Sequence, residues 1–355
     1  MNFGPDHYVP ALKLKMGEKD ALATLKASVK SRTTPLLQIV EMNGEKTLDE
    51  HLSTSFKKFQ PAVSGLSRYF VDSVEIDDAG ALGAGKVFGM CAGQGVPFTP
   101  VIGLSRAAAI TTAGLNAKGR AGVALRISRQ DFEDGVVATQ LPSFLRRNTI
   151  EPGNTDLIID LGEVADMIED GIAAMAEAFI AAVPQPLSWR TLALLGSAFP
   201  ISMQHVGKDS HATAERTEWV AWRDRLYRDR LRLPRLPAFG DWGIQHPKGV
   251  EGFDPVTMQG SAAIRYALDS EWLLIKGRGT KKSPPSLQMP TLARALVNGI
   301  HKRSFAGASH CSGCDLIDRA TRSAVGLGSL TKWRQIGTAH HITATVEAIQ
   351  RLPWP

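Results

Sequence analysis

The chain has 355 residues, of which 43% are hydrophobic and 21% charged, a balance that fits a folded globular protein and excludes a largely disordered one. A formal net charge of +6 permits a phosphate-bearing partner without demanding one, and three cysteines are too few for a disulfide framework, which points to a reducing cytoplasm. No apolar stretch approaches the ~20 residues of a membrane span, and the N-terminal run MNFGPDHYVP lacks the apolar core of a secretion signal.

The chain opens with YVPALKLK, whose apolar–polar alternation predicts a short strand or a plug beneath a core, followed by a helix over residues 18–30. A repeat then begins. Apolar strands are predicted at residues 35–41 (PLLQIVE), 68–73 (RYFVDS), 98–104 (FTPVIGL) and 122–128 (GVALRIS), and further on at 155–164 (TDLIIDLGEV), 190–200 and 236–247. Helices are predicted between them at 47–60, 80–90, 106–115, 130–146, 163–182 and 215–231. Residues 262–279, AAIRYALDSEWLLIKGRG, read as two short strands around a turn at Asp269 and Ser270, one of which is expected to close the sheet. Two more helices are predicted over 291–302 and 331–351.

Continuous apolar strands alternating with helices are the pattern of parallel βαβ units. Eight units predict a (β/α)8, TIM-barrel-like α/β fold rather than an open doubly wound sheet. The expected organisation is one domain: a lead-in over 1–34, a barrel core over 35–279 and a C-terminal helical extension over 280–355.

In such a barrel the C-terminal strand ends share one mouth. The residues expected there are Gln38 or Glu41, Asp72, Arg126, Ser128, Asp160, Ser197, Asp241, Arg265, and Lys276 or Arg278. Carboxylates suit a general base or a hard cation such as Mg²⁺, and arginines clamp phosphate oxygens, so the set suits a phosphorylated ligand. The bland alternative is that Asp–Arg pairs fix strand register inside the barrel. The run IKGRGTKKS, with Lys276, Arg278, Lys281 and Lys282, is either a phosphate grip after the last strand or a solvated basic loop.

Other motifs carry less. GALGAGKV (80–87) lacks the hydroxyl residue that a P-loop places after its lysine. The arginine-rich stretch 216–235 could track nucleic acid, but Asp224 and Asp229 within it favour a solvated, self-paired face, and Trp219 and Trp222 have the spacing of a core stripe. His310, Cys311 and Cys314 form HCSGC, with His340 and His341 downstream. A zinc site could be built from them, but there is no second CxxC, and the adjacent histidines cannot easily both turn to one metal.

Taken in order, YVPALKLKMGE, TPLLQI, FVDS, PVIGL, LRIS, DLIIDLG, GSAFP, RTEWVAW, FGDWGIQHP, AIRYALDSEWLLIKGRG and WRQIGTAHH resemble the phage-type beta protein family over nearly the whole length. The positions that match are Asp72, Arg126, Asp160, Ser197, Glu218, Trp219, Asp241, His246, Arg265, Lys276, Arg278, Arg334 and His341. Gln38 stands where the family tends to have glutamate, which weakens a metal ligand on that strand, and Lys276 where arginine is usual. The resemblance implies a setting in phages and in bacterial phage-defence loci, and no assigned catalytic residues. It gives weight to His246 as a mouth residue. Two functions are expected. In one, a cytoplasmic barrel binds a nucleotide or nucleic acid, with Asp72, Asp160, Asp241 and His246 as base or metal site and Arg126, Ser197, Arg265, Lys276 and Arg278 gripping the ligand. Phosphodiester hydrolysis is the reaction class that follows. In the other, a non-enzymatic protein from a phage–host conflict uses the barrel as a scaffold for a protein partner.

Overall fold

The structure is a computed structural model that describes residues 2–42, 46–119, 121–249, 260–281, 283–323 and 325–354. Eight parallel strands close into a barrel: β1 (Tyr8–Lys13), β2 (Leu36–Gln38), β3 (Tyr69–Asp72), β4 (Phe98–Gly103), β5 (Val123–Ser128), β6 (Thr155–Glu163), β7 (Thr191–Ser197) and, after an inserted strand β8 (Ser210–Glu215), β9 (Ala238–Asp241). The TIM-like architecture expected from the repeat is what the chain adopts. No helix among the described residues is long and apolar enough to cross a membrane.

The closing strand differs from the expected one. YVPALK is itself the first barrel strand, buried along its whole length, and pairs with β2 on one side and β9 on the other. The predicted pair at 262–279 forms β10 (Ser261–Ala267) and β11 (Glu271–Gly279), antiparallel to each other and to β8 in a separate sheet of order β10-β11-β8. The reason is geometric. A tight turn can join only antiparallel strands, whereas the barrel is parallel throughout. The core therefore begins at residue 8 rather than 35, and the 210–215 and 261–279 segments leave it.

Strand alternation sorts side chains to two faces. Val9, Ala11, Leu36, Phe70, Val101, Ala124, Ile158, Ala193, Leu195, Ala238 and Trp242 pack together inside the barrel. Tyr8, Leu37, Val71, Leu125, Ile159, Leu194 and Phe239 face outward into the larger core beneath the helices. Trp219 and Trp222 lie in that outer core, their rings stacked at 5.6 Å. A third core joins β10 and β11 to the helices Pro285–Val297, Ser312–Ala320 and Leu330–Gln350. The last of these is buried around most of its circumference, because it lies between the barrel and the small sheet.

At the N-terminal end the barrel is plugged by charge. Asp156 accepts from Arg68, from Arg190 (Nε 3.0 Å, Nη2 2.7 Å) and from Thr191 Oγ1 (2.7 Å). These bonds hold its carboxyl below the usual range against the opposing effect of burial.

Candidate functional site at the barrel mouth

At the C-terminal end the inward positions are polar. Counting in twos along β5 from Ala124 places Arg126 and Ser128 inside; along β6 from Ile158 it places Asp160 inside, and along β3 from Phe70, Asp72. Arg126 is the hub. Its Nε and Nη2 donate to Asp160 Oδ2 (2.9 and 2.5 Å), and its Nη1 donates to Asp72 Oδ2 (2.7 Å) and Gln38 Oε1 (3.2 Å). The Trp242 ring lies 5.6 Å from its guanidinium carbon. Burial works against the charge on Arg126, but Asp160 and then Asp72 outweigh it and raise its pKa.

Both oxygens of each aspartate accept a hydrogen bond. Asp72 Oδ1 accepts from Arg106 Nη1 (3.0 Å) and Val74 N (3.0 Å), and Asp160 Oδ1 accepts from Gly162 N (2.9 Å). Arg106 also donates to both oxygens of Asp77 and to Ser73 Oγ (2.9 Å). It reaches these partners because Gly103 has no side chain: a Cβ there would lie 2.7 Å from Arg106 Cδ. Above this floor lies a cavity of about 360 Å³, walled by Ile102, Leu104 and Trp242 and rimmed by Ser105, Ser128, Asp131 and Lys248.

Asp72, Arg126 and Asp160 are thus brought together as expected, with Gln38 donating to Glu75 Oε1 at 2.6 Å beside them. The other expected members fall elsewhere. Asp241 points out of the barrel, since Ala238, Gly240 and Trp242 take the inward positions of β9. It accepts from Tyr8 Oη (2.5 Å), His341 Nε2 (2.8 Å) and Gly243 N (2.8 Å), which with Arg216 hold its carboxyl down to about 2 although burial opposes this. Arg265, on β10, donates to Ile244 O (2.8 Å) and lies over Phe199, outside the mouth. Burial and then repulsion from Arg334 push it down to about 9. Lys276 donates to Met203 O and Val206 O (2.7 and 2.9 Å), and Arg278 pairs with Asp209 at 2.5 Å on the surface. Neither follows a barrel strand, so the expected grip is not assembled at the mouth; Lys282 lies outside the described residues. Ser197 is buried at the end of β7, and His246 is buried with Nε2 3.1 Å from Glu163 Oε1; neither lines the cavity.

Sequence reasoning missed Arg106, Trp242 and Lys248. The period-two count would have found Trp242, since β9 reads small-inside at Ala238 and Gly240. Arg106 and Lys248 sit on loops, where no periodicity points. GALGAGKV is plain helix, with Lys86 paired to Asp49 at 2.5 Å, and the arginine-rich stretch is tied down through Arg223 to Asp224 and Asp269 and through Arg225 to Glu169 and Asp170.

Barrel and mouth define the class: a TIM-like α/β protein whose ion-paired polar cavity sits at the strand ends where such barrels place their ligand sites. Within that class the chain belongs to the beta protein family, whose model matches residues 8–347, from the first residue of β1 into the last turns of the C-terminal helix. No match is found among curated proteins.

Proposed function

We propose that the barrel mouth binds one small phosphate-bearing molecule of nucleoside monophosphate size, and that it binds this ligand without cleaving it. The observation that carries the reading is the cavity above Arg126, whose orientation is fixed by two carboxylates before any ligand arrives. Of the five N–H donors of a guanidinium, four on Arg126 are used within the described residues, which leaves one on Nη2 for a ligand oxygen. Lys248, exposed at the rim, supplies the charge, and Trp242 with Leu104 supplies an apolar face for a planar base. Lys13, Arg106, Arg126 and Lys248 stand against Asp72, Glu75, Asp77, Asp131 and Asp160, four cations against five anions, so the mouth has no surplus positive charge for a polyphosphate.

The bonds these carboxylates already make argue against hydrolysis. A divalent ion such as Mg²⁺ needs free oxygens, and a general base needs a lone pair facing substrate. Asp72 and Asp160 each have three of their four acceptor sites taken by Arg106, Arg126 and backbone N–H groups, too few left for an ion without breaking those bonds, and Asp241 faces another compartment. The same pairing of aspartates with arginines supports the second reading, a scaffold for a protein partner in a phage–host conflict.

Calorimetric titration with a panel of mononucleotides tests the proposal. At least one is expected to bind, and Lys248→Ala, on an exposed residue, should weaken it by about tenfold, the loss of one charge-assisted contact of ~1.4 kcal/mol. If no mononucleotide binds and no small molecule co-purifies, the scaffold reading replaces this one. Hydrolysis of a phosphodiester that Asp160→Asn abolishes would refute binding without turnover.

A further inference from the structure

We propose that His310, Cys311, Cys314 and His340 form a structural zinc site that pins the C-terminal helix to the small sheet, independently of what the mouth binds. One ligand atom from each of the four lies within 4.8 Å of all the others. Cys314 Sγ is 3.3 Å from His340 Nδ1 and 3.6 Å from His310 Nδ1, and Cys311 Sγ is 4.0 Å from His340 Nδ1. Tetrahedral Zn–S and Zn–N bonds of about 2.3 and 2.0 Å place sulfur and nitrogen about 3.5 Å apart, so only small movements separate these atoms from coordination.

The surroundings are those of metal ligands. His340 Nε2 lies 2.9 Å from Ala267 O, a group that only accepts, so Nε2 carries the hydrogen and the Nδ1 lone pair faces the sulfurs. His310 Nε2 faces Glu347 Oε2 at 3.2 Å, which leaves its Nδ1 aimed inward in the same way. Cys311 caps the helix Ser312–Ala320 and accepts from Cys314 N at 3.3 Å, a setting that favours thiolate. Two thiolates and two imidazoles with no open position fit structural zinc rather than a catalytic ion.

The HCSGC run lacked a second pair, and the helix Leu330–Gln350 supplies one residue in its place. His340 turns to the cysteines while its neighbour His341 turns to Asp241. The adjacent histidines therefore serve two different sites. A metal at His340 would fix the register of this helix against β10 through Ala267, and with it the bond from His341 to the barrel.

Elemental analysis of the full-length protein, purified without chelator, is expected to give about one zinc per chain. Cys311→Ser with Cys314→Ser, and separately His340→Ala, should lose it, while Cys91→Ser, in the barrel's outer core, should keep it. Cobalt substitution should give thiolate charge-transfer and tetrahedral d–d bands. Should the variants fail to fold, the unmodified protein decides: denatured in the presence of a chromogenic zinc indicator it should release about one zinc per chain, and release of none overturns the site. A folded protein with no bound metal that takes up none on addition, or a Cys311–Cys314 disulfide in freshly purified protein, overturns the site.

Discussion

A single carboxyl shows how compartment decides chemistry here. Glu218 is 4% exposed between the barrel wall and the Asp241 cluster, and it makes no ion pair among the described residues. Burial, and next the charge of Asp241, push its carboxyl up to about 8. Because that lies above the ~4.3 of an unfolded chain, the folded protein holds a proton that the unfolded one releases in between. Stability from this group is full below about pH 4.3 and falls by up to ~1.4 kcal/mol per pH unit until about pH 8. Asp241 works in the opposite sense, but its loss falls between about pH 4 and 2, outside that window. Glu218→Gln should therefore leave the melting temperature near wild type at pH 5 and raise it by a few degrees at pH 8. A difference that does not grow with pH would show that Glu218 is ionised in the fold. Asp241 and its neighbours also mark what was legible at this scale. The aspartates ending strands were visible in the sequence, but which way each faces depends on register. Asp72 and Asp160 fall on the parity of Phe70 and Ile158, whereas Asp241 shares the parity of Phe239 and leaves the mouth.

Among the elements, those with unbroken apolar runs were readable and those with mixed runs were not. TDLIIDL reads as a strand covered on both sides and is β6. YVPALK hides its role because Lys13 ends it, yet that lysine is a barrel-interior residue 3.9 Å from Glu75 rather than a solvent-facing one. β8, SHATAE, shows no apolar signal, since its alternate side chains are exposed and it pairs only at the edge of β11. Short helices such as Ser312–Ala320 are placed by contacts distant in sequence. Gly313 meets the helix Leu330–Gln350 so closely that a Cβ would collide with Ile336 O, which is backbone and cannot swing aside. Gly313→Ala is predicted to push the two helices apart at a cost of about 1–3 kcal/mol, the range for overpacking a close contact. Thermal denaturation measures the loss, and thiol reactivity of Cys311 and Cys314 should rise with it. Unchanged stability would mean that the helices have slack at this crossing.

For the whole molecule, the informative fact is that the N-terminal strand completes the ring. β1 lies between β2 and β9, with Ala11 opposite Leu36 and Val9 opposite Gly240, so the chain's first strand joins the second barrel strand to the last. A closed barrel has no sheet edge; an opened one exposes two rows of unpaired N–H and C=O groups. Here the exposed rows would be β2 and β9, both apolar and inward-facing residues among them. Tyr8 also leaves with β1, and Asp241 loses a hydrogen bond that no water can reach in the intact protein. Removing residues 1–13 should therefore not give a slightly less stable barrel. It should give a chain that aggregates on expression, because two open edges template pairing with other copies while a buried carboxylate loses a partner. A peptide of residues 1–13, whose Tyr8 N donates to Arg32 O and whose Tyr8 O accepts from Thr34 N of the shortened chain, should restore soluble protein when co-expressed. Sedimentation and circular dichroism read the outcome. A truncated chain that stays monomeric and melts cooperatively within a few degrees of the full one would show that the seven remaining strands close without β1.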